Sequence, residues 1–380
     1  RENAERLYKN GFDLSSYGGW SGTFWGVEDA PEKLSAVLLT VRRAMERWAW
    51  TPGLVDVLVY SEVGRGFPGP TDKRRAVMEK VREKELGFKP PEEPEKYPAS
   101  GIVPDDHKSY RAARWWWERG ESWNVFIDKI AEEIEKTRPG TVTTHDPMEG
   151  AIHAAIPRYQ SLKMLQDWHY TPAPNPMAIR VKEMRGIRSH PNQGISQIIG
   201  FCDSMAPPFD TPVSLGYLWR ANWHVLSHGA DRIVYYMEMD KKYGLHAELP
   251  RINEKIILPF GPLIRVLEEP QRPYALLKSS TSALVKNDRY FASVNYPAAL
   301  LIANIHYDTV TEEDILSGRV NSYQGLFLFN TPYIRESVYR KILDYAKSGK
   351  KVYVDHVFKP EVPDAIKFRT TAEMQAYSLQ

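Results

Sequence analysis

Six strand-like runs, each ending in charged or aromatic residues, alternate with helical runs over the first 240 residues. They are GFDLSSYG (11–18), VDVLVYSE (55–62), TVTTHD (141–146), LKMLQDWHY (162–170), ISQIIGFCD (195–203) and DRIVYYMEMD (231–240). Between them EKLSAVLLTVRRAMERWAW (32–50) and YLWRANWHVLSHG (217–229) carry apolar residues at helical spacing, and TDKRRAVMEKVREKELG (71–87) reads as a solvated helix ending at a glycine. A long helix is expected over roughly 108–137, broken near Gly120. The Pro-rich stretch 89–106 reads as an ordered surface excursion. Strands that alternate with helices pair in parallel and are covered by those helices. A (β/α)8 TIM barrel then places its chemistry on the loops after the C-terminal strand ends. A Rossmann-like sheet is the alternative, but no glycine-rich phosphate loop follows the first strand. With six strands in view where a barrel takes about eight, the first two units are expected to be absent from this chain or supplied elsewhere.

A second unit follows. ALLIANIHYD (299–308), GLFLFNTP (325–332), a helix over 333–348 and KKVYVDHVF (350–358) read as a compact βαβ-like set. It carries no nucleophile elbow or phosphate cradle, so packing or oligomerisation is its expected role. The expected division is a barrel over 1–265 and an α/β assembly domain over 275–380.

Composition narrows the partners. A net charge of +2 gives no reason to expect nucleic acid or an acidic membrane surface, and no apolar stretch reaches the roughly 18 residues of a membrane-spanning helix. The only cysteine, Cys202, allows neither an intrachain disulfide nor a cysteine-based zinc cluster. The sequence starts at Arg1, with any signal peptide out of view, so localisation, cytoplasmic or exported, stays open. The 11 Trp and 21 Tyr include several in expected loops, where flat rings stack on sugar C–H faces as readily as they pack a core.

Paired carboxyl groups at separate strand tips are what glycoside hydrolysis needs: one protonates the leaving oxygen, the other attacks or activates water. Glu62 ends an apolar strand, where partial burial would raise its pKa, and Gly64 and Gly66 follow. It is the leading acid/base candidate. The partner is Asp203 or, second, Glu238, while Asp146 and Asp167 suit sugar hydroxyls. A metal reading competes: His145, Asp146, Glu149 and His153 have offsets that could share a helix face, with ligand chemistry suited to zinc or manganese. Pro147 as the first helical residue with Asp146 as N-cap accounts for the same acid without a metal.

The stretch LWRANWHVLSHGADRIVYYMEMDKKYGLH (218–246) resembles the penultimate helix, Gly-Ala-Asp turn, last barrel strand and following loop of the family-42 β-galactosidases, and DYAKSGKKVYVD (344–355) resembles a helix, glycine turn and strand of their flavodoxin-like trimerisation domain. The resemblance covers about 300 residues at the level of pattern, with 218–246 its specific part. It implies a retaining glycosidase whose acid/base Glu ends the fourth barrel strand after an Asn. Here YSEVG keeps the Glu but carries Ser61 in place of that Asn. It also implies a nucleophilic Glu ending strand seven, where GFCDS offers Cys202 or Asp203 instead. The combined expectation is a β-galactosidase-like hydrolase of a carbohydrate acting by double displacement, without cofactor or metal. Glu62 and Asp203 would be catalytic; Ser61, Tyr17, Trp20, Trp25, Asp146, Asp167, Trp168, Tyr170, Glu238 and His246 would bind substrate; and the chain would form a homo-oligomer, a trimer on the family pattern. The rivals are a catalytically silent carbohydrate-binding or assembly protein and a metal-dependent hydrolase built on His145 to His153.

Overall fold

The computed structural model describes residues 14–17, 31–49, 51, 54–63, 72–115, 118, 123–147, 159–169, 174–201, 215–237, 247–267, 272–286 and 295–368. The first sheet contains β1 (Leu14–Tyr17), β2 (Leu54–Val63), β4 (Val142–Pro147), β5 (Met164–His169), β6 (Gly194–Phe201) and β7 (Arg232–Met237) in that spatial order. A short β3 (Ile102–Val103) lies elsewhere. Every neighbouring pair in this sheet is parallel, so all the C-terminal tips lie on one face. Helices α1 (Pro31–Trp48), α2 (Asp72–Leu86), α3 (Lys108–Trp115), α4 (Trp123–Thr137), α5 (Pro174–Ile187) and α6 (Leu215–Ser227) fall between the strands. Beyond β7 come α7 (Leu249–Ile252), a π-helical turn (Asn253–Ile257) and α8 (Leu258–Val266).

Side-chain alternation sorts the strand residues into two layers. Val57, Val59, Leu165, Ile195 and Ile199 pack outward onto Val41 and Met45 of α1, Ile127, Ile130 and Ile134 of α4, Met177 and Val181 of α5, and Leu218 and Val225 of α6. The opposite faces hold polar residues. Asp56, only 2% exposed, accepts a hydrogen bond from Thr144 Oγ1 at 3.3 Å and pairs with Arg232 at 3.0 Å. Asp56 and Arg232 belong to strands four steps apart in the sheet, so the sheet is curled until its far strands meet across the interior. Ser196 donates to Gln166 at 3.0 Å in the same inner layer. The result is a parallel, curled half-barrel.

Among the described residues β1 and β7 each have one neighbour, leaving an edge open on either side. Beside the β7 edge α8 carries no buried residue although it reads LPFGPLIRV, and Leu258, Leu263 and Val266 on it are exposed. Leu39 on α1 is exposed too.

The second sheet contains β8 (Tyr274–Lys278), β9 (Tyr307–Thr311), β10 (Gly325–Leu328), β12 (Lys351–Val354) and β13 (Ile366–Lys367), all parallel. Its order, β13-β12-β10-β8-β9, is the doubly wound 2-1-3-4-5. Around it lie α9 (Ser280–Lys286), α10 (Asn295–Ile302), α11 (Glu312–Leu316) and α12 (Glu336–Lys347). Two sequence expectations change here. The run 299–308 is the end of α10 followed by the start of β9, because four apolar residues in a row fit a buried helix as well as a strand. YALLK, absent from the expected set, is the interior strand β8, between β10 and β9, with Ala275, Leu276 and Leu277 all buried. Helices α3 and α4 flank the break expected near Gly120, and Gly120 itself lies outside the described residues.

A buried ion-pair cluster joins the two sheets. Glu183 of α5 pairs with Lys278 of β8 at 2.5 Å and with Arg180 at 2.6 Å, with Glu183 and Lys278 both almost wholly buried. Lys182 stacks on the Tyr307 ring at 4.2 Å. At Gly186 a Cβ would fall 2.1 Å from the Thr309 carbonyl oxygen, so only glycine lets α5 approach β9. Burial alone would raise the Glu183 pKa, but Lys278 and Arg180 outweigh it and hold the carboxyl below its ordinary value. Glu183→Leu removes the carboxylate that two buried cations share and should cost about 3–5 kcal/mol in denaturant unfolding. The wild-type cluster contributes fully above pH 4.5, the ordinary carboxyl value, and loses its contribution as pH falls through the lower folded value. The variant's stability should therefore converge on wild type in acid.

Candidate active site

Parallel strands bring Tyr17, Glu62, Asp146 and Trp168 to the same face of the half-barrel, at or near the last residues of β1, β2, β4 and β5. Glu62 has a feature of its own. In the β2–β4 ladder Ser61 is opposite Asp146 and Val63 is opposite Pro147, which leaves Glu62 as the extra residue of a bulge. A second irregularity lies between Leu58 and Tyr60. Bulges bend a strand and re-aim one side chain, and they concentrate beside functional sites. The backbone of β2 therefore departs from regular pleating at the residue that the sequence singles out.

The other expected site residues divide into two sets. Ser61 lies in β2, level with Asp146 on the neighbouring strand. Tyr170 directly follows β5, Cys202 and Asp203 follow β6, and Glu238 follows β7. Those four, with Trp20, Trp25 and His246, lie outside the described residues.

Asp167 requires correction. It is 4% exposed and sits on the helix side of β5, near Arg180 and Glu183, with Gln197 Nε2 donating to its Oδ2 at 3.4 Å. Burial, the largest influence, raises its pKa despite the nearby Arg180 guanidinium. A carboxyl packed against α5 has no route to the barrel mouth, so Asp167 is a structural acid. Its inward-facing neighbour Gln166 bonds to Ser196 instead.

The metal reading also changes. His145, Asp146 and Pro147 are strand residues, so Pro147 does not open a helix with Asp146 as its cap. Helical offsets counted from His145 consequently put no group on a shared helix face. Glu149 and His153 lie outside the described residues. His145 is fully buried, its ring edge-on to Tyr159 with centroids 4.8 Å apart. Among the described residues no group of three metal-ligating side chains occurs.

Sequence reading missed the inner polar layer of Asp56, Thr144 and Arg232. The available signal was the aspartate inside the run VDVLV, where one acid interrupts an apolar strand at a position that faces inward. These groups lie toward the strands' N-terminal halves and support the curl below the tips. A cavity of about 560 Å³ opens at that N-terminal end, lined by Val142, Met164, Gly194, Arg188, Asp231 and Arg265. It is on the opposite side from the strand tips, so it is no part of the site at the mouth.

No protein-family model matches the sequence, and no curated protein matches it as a relative. Solved structures do match in shape. The cold-adapted β-galactosidase of Rahnella sp. R3 superposes with a TM-score of 0.63 at 13% identity, over 94% of this chain and 62% of its own. The Bacillus circulans sp. alkalophilus β-galactosidase gives 0.63 and 13% over 94% and 63%. A GH42 β-galactosidase from G. stearothermophilus gives 0.63 and 12% over the same shares. The fold is that of the family-42 β-galactosidases. This chain thus spans a little under two thirds of the length of those three structures.

His145 offers a test of the packing beneath the site. Burial pushes its pKa down to about 3 from an ordinary 6.5, so the fold holds it neutral. Its contribution is intact above pH 6.5 and is lost as the unfolded chain gains a proton that the fold refuses, at up to about 1.4 kcal/mol per pH unit. His145→Phe should flatten the loss of stability between pH 6.5 and pH 4, measured by chemical unfolding; an unchanged slope would place the acid sensitivity elsewhere.

Proposed function

We propose that the chain is the greater part of a glycoside hydrolase of the β-galactosidase type, acting on a β-linked sugar at the C-terminal mouth of the half-barrel. The observation that carries this reading is Glu62, left over at a bulge on the tip of β2 beside Ser61, which is opposite Asp146, in a fold shared with family-42 β-galactosidases. In the proposed reaction Glu62 gives its proton to the glycosidic oxygen as the bond breaks, while Asp203 attacks the anomeric carbon from the opposite face. The product is a glycosyl ester of Asp203. Glu62, now ionised, takes a proton from water, which cleaves the ester and restores both groups. An Asp nucleophile is one methylene shorter than a Glu, so the β6 tip must bring it closer. Glu238, next after β7, is the other candidate for the role.

Tyr17, Trp20, Trp25, Trp168 and Tyr170 supply flat apolar faces for sugar rings in this reading, and Ser61, Asp146 and His246 supply polar contacts. Ser61 is a shorter hydrogen-bonding group than an amide and would grip the sugar 2-hydroxyl less firmly. That favours one rival, a protein that binds carbohydrate without cleaving it. Residues 1–265 act as the barrel domain. Two further βα units would close it between the open edges of β7 and β1, covering the exposed apolar residues of α8. Residues 275–380 act as a flavodoxin-like assembly domain of a homo-oligomer.

Glu62→Gln should lower kcat/KM on alkyl β-galactosides by roughly 10²–10⁴-fold, with a smaller loss on aryl glycosides whose leaving groups need no proton. Asp203→Ala should abolish turnover, with exogenous azide restoring it. Full activity in Asp203→Ala moves the nucleophile to Glu238, and full activity of Glu62→Gln on alkyl glycosides removes the acid/base assignment. Saturable galactoside binding by calorimetry with no wild-type turnover would instead establish the silent rival.

A further inference from the structure

Open α/β sheets bind ligands outside the carboxyl ends of their strands, at the point where the strand order reverses. In the second sheet that point lies between β8 and β10, whose chains leave the sheet at Lys278 and Leu328. The space beyond those ends is filled by the barrel's own excursion. β3 (Ile102–Val103) pairs in parallel with β11 (Ile334–Arg335), and the Ile334 amide donates to the Gly101 carbonyl at 2.8 Å. Gly101 has φ +77°, and a Cβ there would fall 2.3 Å from the Pro332 carbonyl oxygen. Val103 and Tyr110 from the barrel side form one buried apolar cluster with Ala283 and Leu284 of α9, with Tyr97 and Tyr333 against it.

The polar groups are matched as closely. Glu312, at the end of β9, accepts from Ser279 Oγ at 2.6 Å, Thr281 Oγ1 at 2.8 Å and the Thr281 amide at 2.9 Å. Its carboxylate thus takes the donors of the loop after β8, where an anionic ligand group would otherwise lie. The Tyr110 hydroxyl is 3.2 Å from Thr281 Oγ1 and closes the network from the barrel side. Asp105 accepts from the Ser337 amide at 3.0 Å and from Ser337 Oγ at 2.7 Å, serving the first turn of α12. Arg114 of α3 donates to Glu313 at 2.8 Å, which Arg335 also reaches at 3.2 Å.

We propose that the switch-point crevice of the second unit is an intramolecular docking site whose occupant is the chain's own segment 97–115, with Glu312 as the built-in anion. The second unit is therefore an anchor and takes no nucleotide or flavin there. What it anchors is the connection that runs from β2 through α2 and α3 to α4. This segment follows the strand bearing Glu62. The occupancy does not depend on the glycosidase reading; only its bearing on catalysis does.

The test uses the intact chain. Wild type titrated with flavin mononucleotide and with ATP should show no saturable binding up to about 1 mM, and binding of either would overturn the proposal. Gly101→Val cannot sit against Pro332 and should make the stretch 89–106 at least about tenfold more susceptible to limited proteolysis, which tracks the population of the undocked form. A proteolysis rate equal to wild type would count against docking. Tyr110→Phe removes one hydroxyl only, so it separates undocking from misfolding. Hydrogen exchange in this variant should quicken both in 97–115 and in 279–286. Quickening on one side alone would mean that the two segments are not coupled. Glu62→Gln should leave both the proteolysis and the exchange patterns at wild-type values, so a failure of the catalytic assignment remains distinguishable from a failure of docking.

Discussion

A carboxylate sealed inside a curled sheet sets the geometry of the barrel. Asp56 lies almost wholly out of water and is matched by Arg232, from a strand on the far side of the sheet, and by the Thr144 hydroxyl. Left alone, such a group would carry a desolvation penalty of several kcal/mol. The pair is therefore strongly tied to one curvature: flattening the sheet would part the charges while leaving Asp56 buried. The curvature in turn makes six parallel tips converge on a common mouth. Glu62 and Asp146 stand at the C-terminal ends of neighbouring strands of this curled sheet.

The same logic of paired burial operates between the two units. Glu183 with Lys278 and Arg180 lies where α5 meets β8, and Gly186 allows α5 to touch the backbone of β9. Helix α5 is thus shared, covering β5 and β6 of the barrel on one face and the second sheet on the other. An apolar contact there would tolerate sliding. A buried ion pair at 2.5 Å has one good register, and it fixes the second unit against the barrel.

Much of this was legible in the sequence, for reasons that differ by residue. The parallel order of the first sheet followed from runs such as VDVLV and ISQII, long enough and bounded clearly enough to read as strands between helices. Glu62 stood out because an acid at the end of such a run has few packing explanations. The failures are failures of side-chain direction. Asp167 and Gln166 are neighbours, and a one-residue choice of phase decides which enters the barrel and which faces α5. His145 and Asp146 end the expected strand TVTTHD, but the helix start that Pro147 favours does not occur, because the ladder with β2 carries the strand through the proline. The bulge at Glu62 has no sequence signature in Tyr60–Ser61–Glu62–Val63; it depends on register with β4, which is a tertiary fact. β8 escapes the sequence reading because YALLK has neither alternation nor β-branched residues, and burial on both faces of an interior strand explains the missing alternation.

Two sheets of parallel strands offer two sets of C-terminal tips, and their chemistry is opposite. At the second sheet every polar group named at the tips has a partner: Glu312 with Ser279 and Thr281, Asp105 with Ser337, and Asp355 with the amides of Asn330 and Phe358. A network satisfied in this way is rigid. At the first sheet a bulge interrupts the ladder at Glu62 and the strand ends bear acids and aromatic rings. The chain has thus closed one natural binding crevice with its own excursion, while the tips of the other sheet carry Tyr17, Glu62, Asp146 and Trp168. That excursion continues from the strand bearing Glu62, so the closure of one crevice restrains the chain at the mouth of the other.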